Sequence, residues 1–497
     1  MAAGPPRTLV AWLASIVAAG PGQLAALDDG DEWTYRRMWT RTREIANWLT
    51  HQPGFSTGSR VTLIGANEPA YLAAYFGILR AGGAVVSLNA LLSIDDLRAQ
   101  IEFVGSVGTV VGDVPDELAF GLSDGGRTWR LAAIENSASA SLPTLGPQSV
   151  ACVLLTSGTT GSPKGVLHTQ GTLLHAALQI ASSFPIARDE RSVAFLPFFA
   201  SIPEQVLPTM VMGGALHTIR RFDIDRICAA CRGATSFDAV PTIMARLLDH
   251  GDIGSLAGLR WVMFASEPMP EALLNRWWET LPGTETHQLY GMTEMLTITN
   301  APHRLLRARP DIVGVPFSTS AVAIIGADGV TASPGVEGEV TCRSPARMAH
   351  YLNDPDATSL ALTAEGAMRT GDLGVIDEAG YLRLTGRLKD LIISGGLNIA
   401  PAEIEAVACR HPRVAAAAVV GIPDPDWGET PIVVAVPANG DSVSAAEVLE
   451  FCRAQLTGFK RPSGAALMDA LPVTGIGKSS KSEIRRRIID GELILVR

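Results

Sequence analysis

Between residues 60 and 111, apolar runs of strand length alternate with stretches of helical periodicity. "RVTLIGAN" (60–67) reads as a strand closed by turn residues, and "EPAYLAAYFGILRAG" as a helix closed by glycine. "GAVVSLN" is the next strand and "LSIDDLRAQIEFV" the next helix. Strands separated by helices pair through crossovers, which produces parallel sheets with helices on their faces. The same signature returns in "GTVVGD", "ACVLLTS" and "LRWVMFASE". The expected fold class is α/β, with a large N-terminal domain of layered, mostly parallel sheets and helices.

After about residue 310 the texture changes to short strands with glycine turns, in "AVAIIGADGV", "GEVTCRS" and "GYLRLTGR". Helices return after "GRLKDLIISGG", in "APAEIEAVACRHP", "AAEVLEFCRAQL" and "KSEIRRRIID". The expected division is an N-terminal domain over 1–386, with a β-rich subdomain at about 310–386, a polar hinge at 387–390 and a small α+β C-terminal domain over 391–497. The chain's 497 residues accommodate about three domains.

Forty basic residues against fifty acidic ones give a net charge of −10, and no basic block is interleaved with aromatics. That excludes nucleic acid as an expected partner, because binding it needs a concentrated cationic face. An anionic nucleotide would have to be held by local groups. The apolar run "LVAWLASIVAA" (9–19) follows Arg7. It falls short of the about 20 residues of a membrane span, and no clean cleavage site follows, so a buried amphipathic helix is expected and no membrane partner. Of six cysteines, only Cys228 and Cys231 form a C-x-x-C. Without a second pair or histidines at ligand spacing this reads as a buried, reduced pair at a helix end, not a zinc site. Sparse cysteine suits a cytoplasmic protein.

Five short motifs carry chemistry. "LLTSGTTGSPKGV" (154–166) leaves a strand through hydroxyls and glycines that can wrap phosphate oxygens, with Lys164 adding charge. It departs from the common G-x-x-x-x-G-K-[ST] loop, since its lysine is late and no hydroxyl follows it. A polar surface loop has the same composition. "QLYGMTE" (288–294) puts an aromatic, a hydroxyl and a carboxylate at a strand end, where open α/β sheets bind ligands. Tyr290 could stack on a base, Thr293 could bind phosphate and Glu294 Mg²⁺; a turn with a solvated acid reads the same way. "MRTGDLG" (368–374) offers Asp372 to a pair of ribose hydroxyls, although T-G-D is also a common turn. "GRLKDLIISGGLNIAPAEIE" (386–405) and "LPVTGIGKSSK" (471–481) complete the set.

Together, in this order and spacing, these motifs resemble the adenylate-forming superfamily of acyl-CoA synthetases, amino-acid adenylation domains and luciferases. The resemblance covers almost the whole chain. It implies that ATP and a carboxylate form an acyl-adenylate and pyrophosphate, after which a mobile C-terminal lid domain rotates and a thiol takes the acyl group. By the same resemblance Thr156, Ser157, Gly158, Thr159, Thr160 and Lys164 hold the β and γ phosphates. Tyr290 lies near adenine with Gly291 and Met292, and Ser266, Glu267 and Pro268 line the adenine site. Thr293 touches the α-phosphate, Glu294 holds Mg²⁺, and Asp372 and Arg387 bind ribose. Lys478 reaches the carboxylate and α-phosphate, and Lys389 matches the hinge position.

"GIPDPDWGE" (421–429) and "FKRP" (459–462) are similar to benzoate-type CoA ligases. That similarity assigns Trp427, Phe459, Arg461 and Arg80 to CoA and lets pantetheine pass Gly395 and Gly396. Trp427 capping a core is the alternative. An acid–AMP ligase that loads a carrier protein or another nucleophile is the alternative activity. A homodimer is left open.

The resemblance breaks in "LPFFASIPEQV" (196–206), where Ala200 replaces the family's usual histidine and Pro203 and Glu204 replace a glycine and an apolar residue. No aspartate stands there to hold an α-amino group, which disfavours ordinary α-amino acids. Asp238, in "SFDAVP", is a pocket candidate or a capping or solvated aspartate; Phe199, Ala200, Ser201, Gly291 and Met292 are further pocket candidates. The expected substrate is a small aromatic acid, with or without an amino or hydroxyl group; a medium-chain or alicyclic acid is the runner-up.

Overall fold

The computed structural model describes residues 6–123, 127–135, 138–156, 163–394, 397–438, 442–472 and 480–497. Its centre is a nine-stranded sheet in which Arg191–Ala194, Ser236–Ala239, Trp261–Phe264 and Glu285–Tyr290 lie side by side and parallel. Helices Ile224–Cys231, Pro241–Leu248 and Glu271–Thr280 connect successive strands, as the alternating pattern requires. They pack on the face that carries Phe237 and Val262, where the Phe237 and Trp277 rings meet edge-on with centroids 6.2 Å apart. On the other face Met263 and Leu289 pack with Ile180 and Phe184, at the end of the helix Gln170–Ser183.

A seven-stranded sheet runs parallel through Ala84–Ser87, Arg60–Ile64, Gly108–Val111 and Thr128–Arg130. One side of it turns antiparallel: Val150–Thr156 pairs with Lys164–Thr169, which pairs with His350–Tyr351. The β-rich stretch is a four-stranded antiparallel sheet of Ala321–Ile325, Gly338–Arg343, Met368–Ile376 and Leu382–Arg387. The smaller C-terminal domain is built on the long hairpin Val414–Asp424 and Gly428–Pro437, with Gly464–Leu467 added in parallel. Helices Pro401–Ala408 and Ala445–Gln455 cover one face of that sheet.

The N-terminal apolar run is a helix, Leu9–Ala19, capped by the Thr8 hydroxyl accepting from Ala11 N–H. Leu9 and Leu13 enter the core, and Trp12 Nε1 donates to Val211 O at 2.9 Å. No described helix is long and apolar enough to cross a membrane. The six cysteines are unpaired, and Cys228 and Cys231 are buried at the end of their helix. Removing the Phe237 ring leaves a cavity between the sheet and its outer helices. Phe237→Ala is expected to cost about 3–5 kcal/mol, read as a lower denaturant midpoint; an unchanged midpoint would contradict the packing described.

Candidate active site

The four central strands are parallel, so their carboxyl ends share one edge of the sheet, the place where open α/β sheets bind ligands. The strand Glu285–Tyr290 ends there in Tyr290, followed by Gly291, which has no room for a side chain: a Cβ would collide with the Leu296 carbonyl. Strand Trp261–Phe264 leads into Ser266, whose backbone is left-handed at φ 76°. Such a conformation in a residue other than glycine stores strain and is concentrated at functional sites. Next to it, Glu267 accepts from Thr242 Oγ1 at 3.2 Å.

Three of the sequence candidates meet at a single carboxylate. Tyr290 Oη donates to Asp372 Oδ2 at 2.7 Å, and Arg387 Nε donates to Asp372 Oδ1 at 2.8 Å. Asp372 stands opposite Arg387 in register across two antiparallel strands, and Thr370–Asp372 bulge out of the ladder with Gly371 at φ 70°. The T-G-D triplet is thus a bulge within a long strand, not a terminal turn. Burial, then the Asp372 charge, pushes the Tyr290 phenol up, so it stays a donor. Each Asp372 oxygen has a further lone pair, so the carboxylate can accept ligand hydroxyls while keeping both protein partners.

A second cluster joins Glu294 to Lys164 through a residue that the motif reading missed. Tyr351 Oη donates to Glu294 Oε1 at 2.6 Å, and Lys164 Nζ stands 4.9 Å from the centroid of the same ring. Tyr351 lies in "HYLND", where an aromatic beside a strand-breaking N-D-P was the available signal. Lys164 itself is paired in register with Thr156. The intervening Ser157, Gly158, Thr159 and Thr160 lie outside the described residues, as do Lys478, Gly395 and Gly396.

Thr293 is held from behind by another missed residue. His168 Nε2 donates to Thr293 O at 2.8 Å, and its Nδ1 faces Thr172 Oγ1 at 3.2 Å. Burial lowers this imidazole to about 4, so it is neutral and serves as a fixed donor. Among the described residues no group of three His, Cys, Asp or Glu side chains could cage a metal. Mg²⁺ fits here only in the manner typical of that ion, through one carboxylate and the phosphates of a bound nucleotide. Glu294 is a buried carboxylate with one oxygen on the Tyr351 hydroxyl and lone pairs to spare, so it would be the residue to hold such an ion.

The acid-pocket and CoA candidates are more dispersed. Phe199 is half-buried, Ala200 is exposed, and the Ser201 hydroxyl is engaged by Leu196 O at 3.1 Å. Met292 is half-buried beside Thr293. Asp238 is neither capping nor solvated: it is 4% exposed in mid-strand. Trp427 caps no core either, being 59% exposed at a hairpin where Asp424 Oδ1 accepts from its N–H. Arg461 is exposed with Nε on Leu456 O, in a turn that includes Phe459 and whose Phe459 side chain lies outside the described set. Arg80 stacks on Trp39 at 4.4 Å and donates to its carbonyl, which ties it to the N-terminal core. Lys389 is exposed in the single turn Leu388–Asp390 that follows Arg387.

Comparison with known proteins gives the same picture at the level of the whole chain. The family model "AMP-binding enzyme" matches residues 14–352, and "AMP-binding enzyme C-terminal domain" matches residues 403–478. Feruloyl-CoA synthase from Amycolatopsis is 33% identical over 96% of this chain and 99% of its own. Indoleacetate–CoA ligase from Aromatoleum aromaticum is 30% identical over 96% of this chain and 97% of its own. The crystal structure of ATP-bound MatB from Rhodopseudomonas palustris superposes with a TM-score of 0.89 at 27% identity, covering 98% of this chain and 99% of that one.

The His168 support is measurable. The unfolded chain takes up the imidazole proton near the ordinary 6.5 and the folded chain only near 4. Stability therefore falls as pH drops through that window, by up to about 3 kcal/mol. His168→Asn should lose less stability than the parent between about pH 7.5 and about pH 5; identical acid sensitivity in chemical denaturation would remove His168 from the account.

Proposed function

Because the chain belongs to the AMP-binding enzyme family, we propose that it is an ATP-dependent acid–CoA ligase acting on a small aromatic acid. In the first step a carboxylate oxygen attacks the α-phosphorus of ATP, the α–β bridging bond breaks, and pyrophosphate leaves with the bonding pair. In the second, the CoA thiol adds to the acyl carbon, loses its proton, and AMP departs. The carboxylate is a poor electrophile and the mixed anhydride a good one, so catalysis consists mainly of positioning and charge stabilisation.

The observation that carries this reading is the convergence of Tyr290, Asp372 and Arg387 in one group, with Lys164, Tyr351 and Glu294 forming a second. Asp372 and Arg387 would hold the ribose and Tyr290 would flank the base. Lys164 would take the β and γ phosphates as they become the leaving group, together with Ser157, Gly158, Thr159 and Thr160. Thr293 would orient the α-phosphate from the backbone segment that His168 fixes. Mg²⁺, when bound at Glu294, would neutralise phosphate charge. Lys478 would attend the α-phosphate and the acid.

CoA as the acceptor is supported by relatives named as CoA ligases at full length and by an exposed tryptophan at the position assigned to the CoA nucleotide. An aromatic acid is supported by relatives named for feruloyl and indoleacetate groups.

The test supplies ATP, Mg²⁺ and aryl, alicyclic and unbranched aliphatic acids, with and without CoA. Aryl acids should give AMP and an acyl-CoA, with AMP release depending on CoA. Activity confined to aliphatic acids would sink the aromatic reading, and adenylate formation indifferent to CoA would replace the acceptor. Lys478→Ala should abolish pyrophosphate exchange while ATP still shifts the melting temperature; normal exchange would remove Lys478 from the chemistry.

A further inference from the structure

The helix behind the acid-pocket motif is irregular in a way that its prolines explain. Phe198–Ser201 is α-helical, Ile202–Val206 forms a π turn, and Leu207–Val211 is α-helical again. Pro203 and Pro208 have no N–H to donate, so regular i→i−4 bonding is lost at both. Leu207 N–H instead reaches Ile202 O, the π spacing that recurs at functional sites. Glu204 lies on this turn, half-buried, and Gln205 anchors it to the central sheet by donating from Nε2 to Ser192 Oγ and Val193 O at 3.0 Å each.

The sheet face under this turn carries Asp238. Ser192 and Ser236 are neighbours in register, and Asp238 follows on the same face two residues later, beside Met263. Buried Glu190, below it, is fully engaged: Ser236 Oγ donates to it at 2.6 Å and Arg260 pairs with it at 3.0 Å. Asp238 is equally buried, yet no donor reaches its carboxylate among the described residues, and its nearest charges are Glu204 and Glu190.

Three more buried atoms around this face are unpaired, the third being Nε1 of Trp261, whose ring lies edge-on to His287. Gln205 Oε1 has no partner, nor has Nδ1 of His287, which stands in the same row as Asp238 and Met263. His287 Nε2 meets Glu285, and burial first of all lowers this imidazole, so Nδ1 presents a lone pair. Gln205 Oε1 and His287 Nδ1 are acceptors, Trp261 Nε1 is a donor, and the Asp238 carboxyl in its neutral form keeps an accepting carbonyl oxygen. Leaving a buried acceptor without a donor costs about 1–3 kcal/mol; with acceptors at Gln205 Oε1, His287 Nδ1 and Asp238 against the one donor of Trp261, the balance points to a ligand that brings a donor.

We propose that Asp238, with Glu204, forms the recognition end of the acid pocket, and that the substrate carries a hydrogen-bond-donating hydroxyl or amino group remote from its carboxylate. This rests on the ligase reading above. Burial, then the Glu204 and Glu190 charges, push the Asp238 carboxyl well up, which favours its neutral form; that form accepts a substrate donor through its carbonyl oxygen, while a second carboxylate on the substrate is disfavoured by burial and by the Glu204 charge. Asp238 takes no part in the bond changes; it selects which acid is adenylated.

The experiment is ATP–pyrophosphate exchange with benzoate and cinnamate frames, each unsubstituted or bearing a para hydroxyl, amino or carboxyl group. The parent enzyme should favour hydroxyl or amino acids over the unsubstituted ones by at least about tenfold in kcat/KM. In Asp238→Leu that ratio should collapse towards one, with the shape-conserving Asp238→Asn in between; ATP-induced thermal stabilisation verifies that each variant is folded. A parent ratio near one, a parallel loss on all acids with the ratio kept, or a para-carboxyl acid as best substrate would overturn the assignment. Exchange with none of these acids, but with aliphatic ones, would instead overturn the aromatic-ligase reading on which it rests.

Discussion

The Asp372 carboxylate is the junction on which the rest of the site depends. It stands on the four-stranded sheet, accepts from Tyr290 at the end of the nine-stranded sheet, and pairs with Arg387 at the end of the next strand. A carboxylate that is 5% exposed is costly to bury unless its lone pairs are used, and two charge-assisted or short hydrogen bonds use them here. The bulge at Gly371 is the local means by which Asp372 is held opposite Arg387 and under Tyr290. Arg387 is also the last residue before the exposed turn Leu388–Asp390. A pivot in that turn would leave the Asp372 junction intact, because Tyr290, Asp372 and Arg387 all precede it.

Much of the architecture was legible because it is written in local patterns. The alternation over 60–111 returned as parallel strands with intervening helices, and the glycine-punctuated stretch after 310 as an antiparallel sheet. The residues that hold the site together were not legible, because their partners are distant along the chain. Tyr351 meets Glu294 across 57 positions and His168 meets Thr293 across 125. A motif names chemistry; only topology brings Tyr351 between Lys164 and Glu294. Asp238 resisted for a different reason. Strands of a parallel sheet are buried on both faces, so alternation does not announce which polar residue is inside. In Ser236–Ala239 all four residues are buried, and a lone acid looks the same in sequence whether it caps a helix or faces a pocket.

The departures from the family pattern cluster on one element. Ala200 replaces a histidine, Pro203 and Glu204 replace a glycine and an apolar residue, and Glu204 adds a charge on a π turn that Pro203 opens and Pro208 follows. A proline in a helix interior costs about 3 kcal/mol or more where regular bonding must be broken. Two of them within one short helix are tolerable because the chain relaxes into the wider π spacing and because Gln205 fastens it to the sheet. The distortion thus puts a charged residue on the element while Leu207 and Met210 stay in the apolar core.

A protein with net charge −10 that holds a polyanion appears contradictory until distances are considered. Surface charges are screened beyond about 8–10 Å at physiological ionic strength, so the overall charge contributes little at contact range. What matters is the sign of the groups within a few ångströms of each phosphate. Lys164 stands over the Tyr351 ring, and the Glu294 carboxylate on the far side of that phenol is satisfied by its hydroxyl. Under the proposed function Lys164 would be left to phosphate, and the remaining lone pairs of Glu294 to a divalent ion. One phenol separates an ammonium from a carboxylate that would otherwise neutralise each other, and under the proposed function this separation would let a single small site serve both a polyanion and the metal that travels with it.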